Sequence, residues 1–401
     1  MHVVVAPDKF KGSLPAAGVA DAVAAGIYQV RPELPVRCVP VADGGDGTLE
    51  AVVAAGYRRY PVTVSGPTGQ PVRSAIAIRE RTAVVELADG CGLARLPGGR
   101  REPLRASSYG AGELVTAALD RGARTIVLGV GGSASTDGGA GMLAALGAKI
   151  FDAEGRVLPQ GGGALPSASR LELSTMDPRL RHCQIMLASD VDNPLLGTHG
   201  AAAVYGQQKG ANHEQVRMLE DGLRWWSRLM TATTGRDRSR SVGAGAAGGV
   251  GFGALAALGA RRCSGIGAVL ALVGMSRHLR GARLVITGEG SLDSQSLHGK
   301  APVGVAEAAY EAGVPAVAVA GRCTLSPPQR AAARLRAVYA LTDIEPDVER
   351  CISEAPALLR TLGERIALSW LAGDEGDPAA LGATRSLTGP PVRAAIPSCD
   401  S

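Results

Sequence analysis

Nearly all the side chains here that could do chemistry fall in five short polar segments, each following an apolar run. They are Asp8, Lys9 and Lys11; Asp43 and Asp46; Ser133, Ser135, Thr136 and Asp137; Asp190, Asp192 and Asn193; and Glu289, Asp293, Gln295 and Lys300. Acids spread over several such loops, with lysines and glycine-rich turns, are the set that Mg-assisted phosphoryl transfer needs. Mg²⁺ takes one or two carboxylates and completes its shell from phosphate and water. Lysine neutralises phosphate charge, and one Asp accepts the proton of the attacking hydroxyl. Asp190 is the expected general base or direct ligand of the reacting centre, Asp43 and Asp46 the expected Mg²⁺ acids.

The densest signal is "RTIVLGVGGSASTDGGAGMLAALGA" at 124–148. An apolar run ends in Gly131 and Gly132. Ser133, Ser135, Thr136 and Asp137 follow, then more glycine and an Ala/Leu-rich helix. Such a strand, loop and helix start points unpaired amides and the positive end of a helix at an anion, usually phosphate. The same glycines also serve tight packing in α/β folds. A later stretch, "GGVGFGALAALGA", echoes the first. The two helix starts either face one ligand or pack on each other, and packing is the preferred reading. Asp46 and Asp137 also suit helix capping. Asp190 follows the apolar "IML", where a cap is less needed.

The chain holds 37 Arg but only five Lys: Lys9, Lys11, Lys149, Lys209 and Lys300. Against that bias a lysine marks a place that wants a compact point charge rather than a planar fork. Lys9, Lys11 and Lys300 stand out because they sit in glycine-containing polar loops.

The elements that must position these residues alternate. Strands are expected at 3–6 and 36–41, each running through a polar loop into a helix, which implies βα units and a parallel sheet. Ligands then bind at the carboxyl ends of the strands. Short strands at 62–65, 72–78 and 83–87 suggest a second, antiparallel or mixed sheet. An amphipathic helix at 214–230 carries Trp225 and Trp226 as packing residues. Regular alternation returns with a strand at 284–287, strands at 316–320 and near 338–341, and a last helix to about 370. The expected architecture is α/β in two domains. Segments 1–60 and 284–371 form a Rossmann-like parallel-sheet domain, and 61–283 an inserted mixed-sheet α/β domain. Beyond Ala372 the chain is rich in Gly, Pro and Asp without periodicity and reads as a flexible tail.

Composition narrows the class. At 401 residues, 46% apolar and 20% charged, this is ordinary globular protein. The net charge of +5 contains no polybasic block, and aromatics are only 3%. Nucleic acid and membrane are therefore not expected partners. Seven cysteines without a C-x-x-C suit free thiols in a reducing cytoplasm. There is no G-x-x-x-x-G-K-[ST], no protein-kinase motif set and no G-x-S-x-G. The six histidines lack metal spacing; His298 alone lies in a candidate loop.

Six segments, in order, carry a resemblance: "APDKFKGSL", "PVADGGDGT", "GVGGSASTDGGAGMLAALGA", "SDVDNPLLG", "GAGAAGGVGFG" and "GEGSLDSQSLHGKAPVGVA". Together they resemble the bacterial glycerate kinase family, from residue 1 to about 370. The resemblance implies ATP- and Mg²⁺-dependent phosphorylation of D-glycerate, with 2-phosphoglycerate favoured over the 3-ester, in a cleft between two α/β domains. It carries Asp8, Lys9, Lys11, Asp43 and Asp46 into the site, with the residues from Gly131 to Asp137. It also carries Asp190, Asn193, Glu289, Asp293, Gln295 and Lys300. Lys9 and Lys300 would hold phosphate or the substrate carboxylate. The family often has Glu at the place of Asp46, and residues 372–401 match nothing. The sequence leaves oligomeric state open, a homodimer included. Two rivals remain at this stage: a dinucleotide-dependent oxidoreductase, although "GVGGSAS" lacks the full G-x-G-x-x-G, and a non-catalytic sugar-acid sensor.

Overall fold

The computed structural model describes residues 1–297 and 299–371. His298 and the segment 372–401, read above as a loop residue and a tail, lie outside the described residues. The chain opens with β1 (His2–Pro7) and β2 (Val36–Cys38). It then leaves to build β3 (Arg58–Ser65), β4 (Pro71–Arg79), β5 (Thr82–Glu86) and β6 (Thr125–Gly129). A small hairpin, β7 (Lys149–Phe151) and β8 (Arg170–Glu172), precedes β9 (Gln184–Ala188) and β10 (Arg261–Cys263). The chain returns with β11 (Ala282–Leu292), β12 (Ala316–Cys323) and β13 (Leu335–Ala340).

Two large sheets result. The first has the order β13-β12-β11-β1-β2 and is parallel throughout. The second has the order β10-β9-β6-β5-β4-β3; it is parallel from β10 to β5 and antiparallel across β4 and β3. The expected α/β class, with a parallel sheet drawn from both chain ends and a mixed sheet between, is what the strands form.

The period of two along a strand explains the layering. In β1, Val3 and Val5 pack with Ile27, Leu359 and Leu362 on one face, while Val4 and Ala6 pack with Ile266, Val269 and Val305 on the other. Both faces are covered by helices, as a parallel sheet requires. The second sheet has its own core, with Leu114, Met142, Phe252 and Trp226 fully buried. Trp226 Nε1 donates to Gly138 O at 3.0 Å, so it packs as expected and also satisfies the glycine loop. Trp225 is half exposed and donates to Ala168 O at 2.5 Å.

Two helices lie between the sheets. Thr48–Ala54 buries Leu49 and Val52 against Ala75, Ala77 and Val84 of the second sheet. Gly265–Val273, grouped by sequence with the inserted segment, sends Ile266, Val269 and Val273 into the first-sheet core and Leu272 against the second.

Two strands differ from expectation. Regular pairing of β2 stops at Cys38 rather than 41. Val39 N and Val41 N still bond to Val5 O and Pro7 O, but Pro7 of β1 has no N–H to return the next bond, to Val39 O. β11 runs on to Leu292, pairing with β12 as far as Cys323. Gly288, Glu289 and Gly290 look like a loop in sequence, yet they belong to the ladder.

Candidate functional site

The carboxyl ends of the strands of both sheets meet at one cleft of about 410 Å³. The first sheet contributes Lys11, Asp43, Gly299 and Lys300. The second contributes Gly131, Gly132, Ser133, Asp190 and Lys209. The seam between them depends on missing side chains: a Cβ on Gly131 would lie 2.8 Å from Gly45 Cα. The 131–133 loop and the 43–46 loop therefore touch backbone to backbone.

The loop after β6 divides in two. Gly131, Gly132 and Ser133 face the cleft, and their amides have no acceptor among the described residues. Ser135, Thr136 and Asp137 are fully buried and do not line the cleft. Asp137 accepts from Ser108 N and Ser108 Oγ at 2.8 Å each, and from Gly139 N and Gly141 N at 3.2 Å. This corrects the expectation that the helix start and Asp137 present themselves to a ligand. The first amides of the helix Ala140–Ala145 are answered by Asp137 itself, the capping alternative. Packing also holds for the echoed glycine stretch. Gly138 N bonds to Gly248 O, and a Cβ on Gly253 would lie 3.2 Å from Gly139 Cα. Ala247 and Gly248 of that stretch nonetheless reach the cleft.

Asp190 lines the cleft, and it is also a cap. Its Oδ1 accepts from Ser264 Oγ at 2.9 Å and Gly265 N at 2.8 Å, and its Oδ2 from Ile266 N at 3.3 Å. The helix it caps, Gly265–Val273, starts about seventy residues later, so the sequence near Asp190 gives no sign of the need. Burial raises its carboxyl above the ordinary range, against the pull of those donors, and Asp43 adds to the rise.

Asp43 takes one bond, from Gly45 N at 3.2 Å. Behind it stands Asp8, whose Oδ1 accepts from Lys9 N at 2.6 Å. Burial, then the charge of Asp43, lift the Asp8 carboxyl to about 7. Asp46 does not join Asp43. It is 72% exposed, outside the cleft lining, and ion-paired with Lys9. Nor does Asp46 cap the helix Thr48–Ala54. Glu86 does so from the end of β5, accepting from Gly47 N at 3.3 Å and Leu49 N at 3.1 Å.

At the late loop, Glu289 is buried in β11, accepts from Ser296 Oγ and lies 3.5 Å from Lys300 Nζ. Burial raises its carboxyl, with Ser296 and Lys300 opposing. Asp293 holds the turn, accepting from Gln295 N at 2.9 Å, and Gln295 is exposed. Glu289, Asp293 and Gln295 stand beside the cleft rather than on its wall; Lys300 is the member that lines it. Asn193 is a second correction: its amide donates to His199 O at 2.8 Å and accepts from Tyr205 OH at 2.6 Å, so both ends serve the fold.

Two residues were missed. Glu86 ends an apolar strand, and its partners lie at the start of the helix Thr48–Ala54, nearly forty residues earlier in the chain. Lys209 had a signal, being one of five lysines in an arginine-rich chain. It is 3% exposed, lines the cleft, and donates to Ser133 Oγ at 2.8 Å and Ser135 O at 2.6 Å.

Among the described residues no group of three His, Cys, Asp or Glu is placed to hold a metal alone. That suits an ion held by one or two acids and by phosphate, the usual manner of Mg²⁺. Asp43, with an oxygen free of hydrogen bonds and the raised Asp8 behind it, fits such an ion; Asp46, engaged by Lys9, does not. No described helix is long and apolar enough to cross a membrane.

Comparison with known proteins agrees with the geometry. The model of the glycerate kinase family matches residues 3–371. The Escherichia coli K12 protein named glycerate 2-kinase is 43% identical over 328 residues, covering 81% of this chain and 86% of its own. A Bacillus subtilis glycerate kinase is 43% identical over 324 residues, 80% of this chain and 85% of its own. A crystal structure assigned to a glycerate kinase 2 of Salmonella typhimurium LT2 superposes with a TM-score of 0.82 at 38% identity, covering 93% of this chain and 98% of that one. With two sheets meeting at a cleft of acids, lysines and open amides, and a family match over nearly every described residue, the chain belongs to the glycerate kinase family.

Proposed function

We propose that the chain transfers the γ-phosphoryl group of ATP to D-glycerate in the cleft between the two sheets. One observation carries the reading: Asp43, Asp190, Lys11 and Lys300 converge with the open amides of Gly131, Gly132 and Ser133 on one cavity. The amides cradle nucleotide phosphate, as exposed backbone N–H groups do. Lys300 and Lys11 hold the substrate carboxylate and the transferred phosphate. Asp190 takes the proton of the attacking hydroxyl; burial raises its carboxyl, which makes it a stronger base than an ordinary carboxylate. The hydroxyl oxygen bonds to the γ-phosphorus, the bond to the bridging oxygen breaks, and ADP leaves with the electron pair. Asp43, backed by Asp8, would hold Mg²⁺. Bound there, the ion would neutralise charge on the phosphates. Lys9 stands one step back, fixing the 43–46 loop through Asp46.

Transfer to the 2-hydroxyl is the favoured outcome, supported by the name of the Escherichia coli relative. The lobes, 1–60 with 284–371 and 61–283, would close on the substrate to exclude water. The free cysteines suit a reducing cytoplasm. The oxidoreductase and sensor readings have nothing in the family placement to favour them. Purified protein with ATP, Mg²⁺ and D-glycerate, followed by ³¹P NMR, tests the proposal. A phosphoglycerate signal supports it, and its proton coupling distinguishes the 2-ester from the 3-ester. Absence of both ester and ADP would refute it.

A further inference from the structure

Lys209 ends the short turn Gln207–Lys209 and sits 3% exposed against the cleft. Its ammonium has three donors. Two go to neutral oxygens, Ser133 Oγ and Ser135 O. The third has no partner among the described residues, and no carboxylate there forms an ion pair with it. Asp137 acts on it through space, but that carboxylate already accepts four donors of its own. A neutral amide would meet two oxygens as well. Burial lowers the ammonium to about 8, which still leaves it charged at neutral pH; a buried charge with no carboxylate bonded to it is costly, so its presence calls for an anion that arrives from the cleft.

The surroundings support this. Ala247, Gly248 and Gly249 run through the left-handed region with φ of 53°, 67° and 92°. Such strain at a non-glycine residue is concentrated at ligand clamps, and Ala247 lines this cleft. A Cβ on Gly248 would lie 2.9 Å from Lys209 Nζ and 2.1 Å from Ser135 O, so the strained turn is pressed onto the ammonium. The open amides of the 131–133 loop adjoin Ser133, which Lys209 holds.

We infer that Lys209 and the 131–133 amides form one anion subsite that takes the polyphosphate of the nucleotide, a phosphate oxygen being the third acceptor of Nζ. The inference rests on the phosphoryl-transfer reading and names the part of the cleft that holds the donor. Phosphate fits better than the substrate carboxylate because amides and ammonium converge here, beside the loop of Asp43 that would hold Mg²⁺, whereas Asp190 marks the side for the hydroxyl.

The test is calorimetric titration of ADP, inorganic pyrophosphate and D-glycerate, each separately, into wild type, Lys209→Met and Lys209→Gln. The Gln variant keeps donors for Ser133 and Ser135, so it answers the question if the Met variant fails to fold. ADP and pyrophosphate should bind about 10- to 100-fold more weakly to the variants, the loss typical of a hydrogen bond to a charged group. D-Glycerate affinity should stay within about twofold, and the KM for ATP should rise while that for glycerate holds. Unchanged ADP affinity in a folded variant overturns the inference. Weakened glycerate with ADP intact overturns the phosphate assignment. A wild type that makes no phosphoglycerate, yet loses ADP and pyrophosphate on substitution, refutes the kinase reading and leaves the anion subsite standing.

Discussion

The two walls of the cleft are built by different means. The parallel-sheet wall presents charged side chains on short loops, Lys11, Asp43 and Lys300, with Asp8 and Glu289 behind them. The mixed-sheet wall carries Asp190 and Lys209 as well, but it adds a run of backbone amides at Gly131, Gly132 and Ser133, on a loop whose next polar residues are sealed inside. Side chains can follow a substrate; an amide platform locked by Asp137 and Trp226 cannot. An acid's place after a strand of this sheet therefore does not settle its role. Asp137 and Asp190 each follow a strand of the second sheet, and each accepts helix amides. Asp137 is 0% exposed, and Asp190 stays on the cleft wall.

The largest effect should come from breaking the platform. Asp137→Ala would leave Ser108, Gly139 and Gly141 amides buried without an acceptor. At about 1–3 kcal/mol for each orphaned donor, with partial relaxation, unfolding in urea should show a loss of about 3–5 kcal/mol. Retained stability with a collapsed kcat would instead make Asp137 part of the reacting site. Asp190→Asn should act the other way round. Its kcat should fall at least ~100-fold if the carboxylate takes the proton, while stability stays within about 1 kcal/mol because Asn still caps. Near-normal turnover would reduce Asp190 to a cap, with the same duty as Asp137. Lys300→Met should lower kcat/KM by about 10- to 100-fold. Its melting temperature should fall only modestly, because Glu289, although buried, keeps its bond from Ser296 Oγ and burial already favours its neutral form. A large melting shift would make Lys300 a structural counter-ion of Glu289.

The fold was largely legible because its signals are local. The continuous apolar run Val3, Val4, Val5 and Ala6, then a polar loop and an Ala-rich helix, is the local pattern of a βα unit buried on both faces. Where the reading failed, the cause lay far away in the chain. Gly288 and Glu289 suggest a loop until β12 is there to pair with them. The capping duty of Asp190 belongs to a helix about seventy residues on, and Asn193 is held by Tyr205 and His199. The site was legible as a set of loops, but not as a division of labour within each loop. Burial decides that division, and burial depends on the whole packing.

Glu86 offers the most specific test, since it is a link between the walls. It leaves β5 of the mixed sheet and caps the helix that follows the Asp43 loop of the parallel sheet. Burial lifts its carboxyl to about 8, outweighing the bond from Leu49 N that favours ionisation. The folded chain therefore keeps a proton that the unfolded chain releases near the ordinary value of 4.5. Between those values the unfolded state binds fewer protons, so stability falls as pH rises and levels off above about 8. The contribution of one such group approaches 1.4 kcal/mol per pH unit, as an order of magnitude. Asp8, raised to about 7, adds a slope of the same sign that ends lower. Glu86→Gln cannot titrate and keeps one acceptor for the helix. Its urea-unfolding profile between about pH 5 and pH 8 should be flatter than that of wild type by up to that slope. The slope, not the offset, is the readout, because the lost second acceptor lowers stability at every pH. Parallel profiles would mean that Glu86 is ionised when folded. The two amides would then outweigh burial, and the link between the walls would be a charged cap rather than a neutral one.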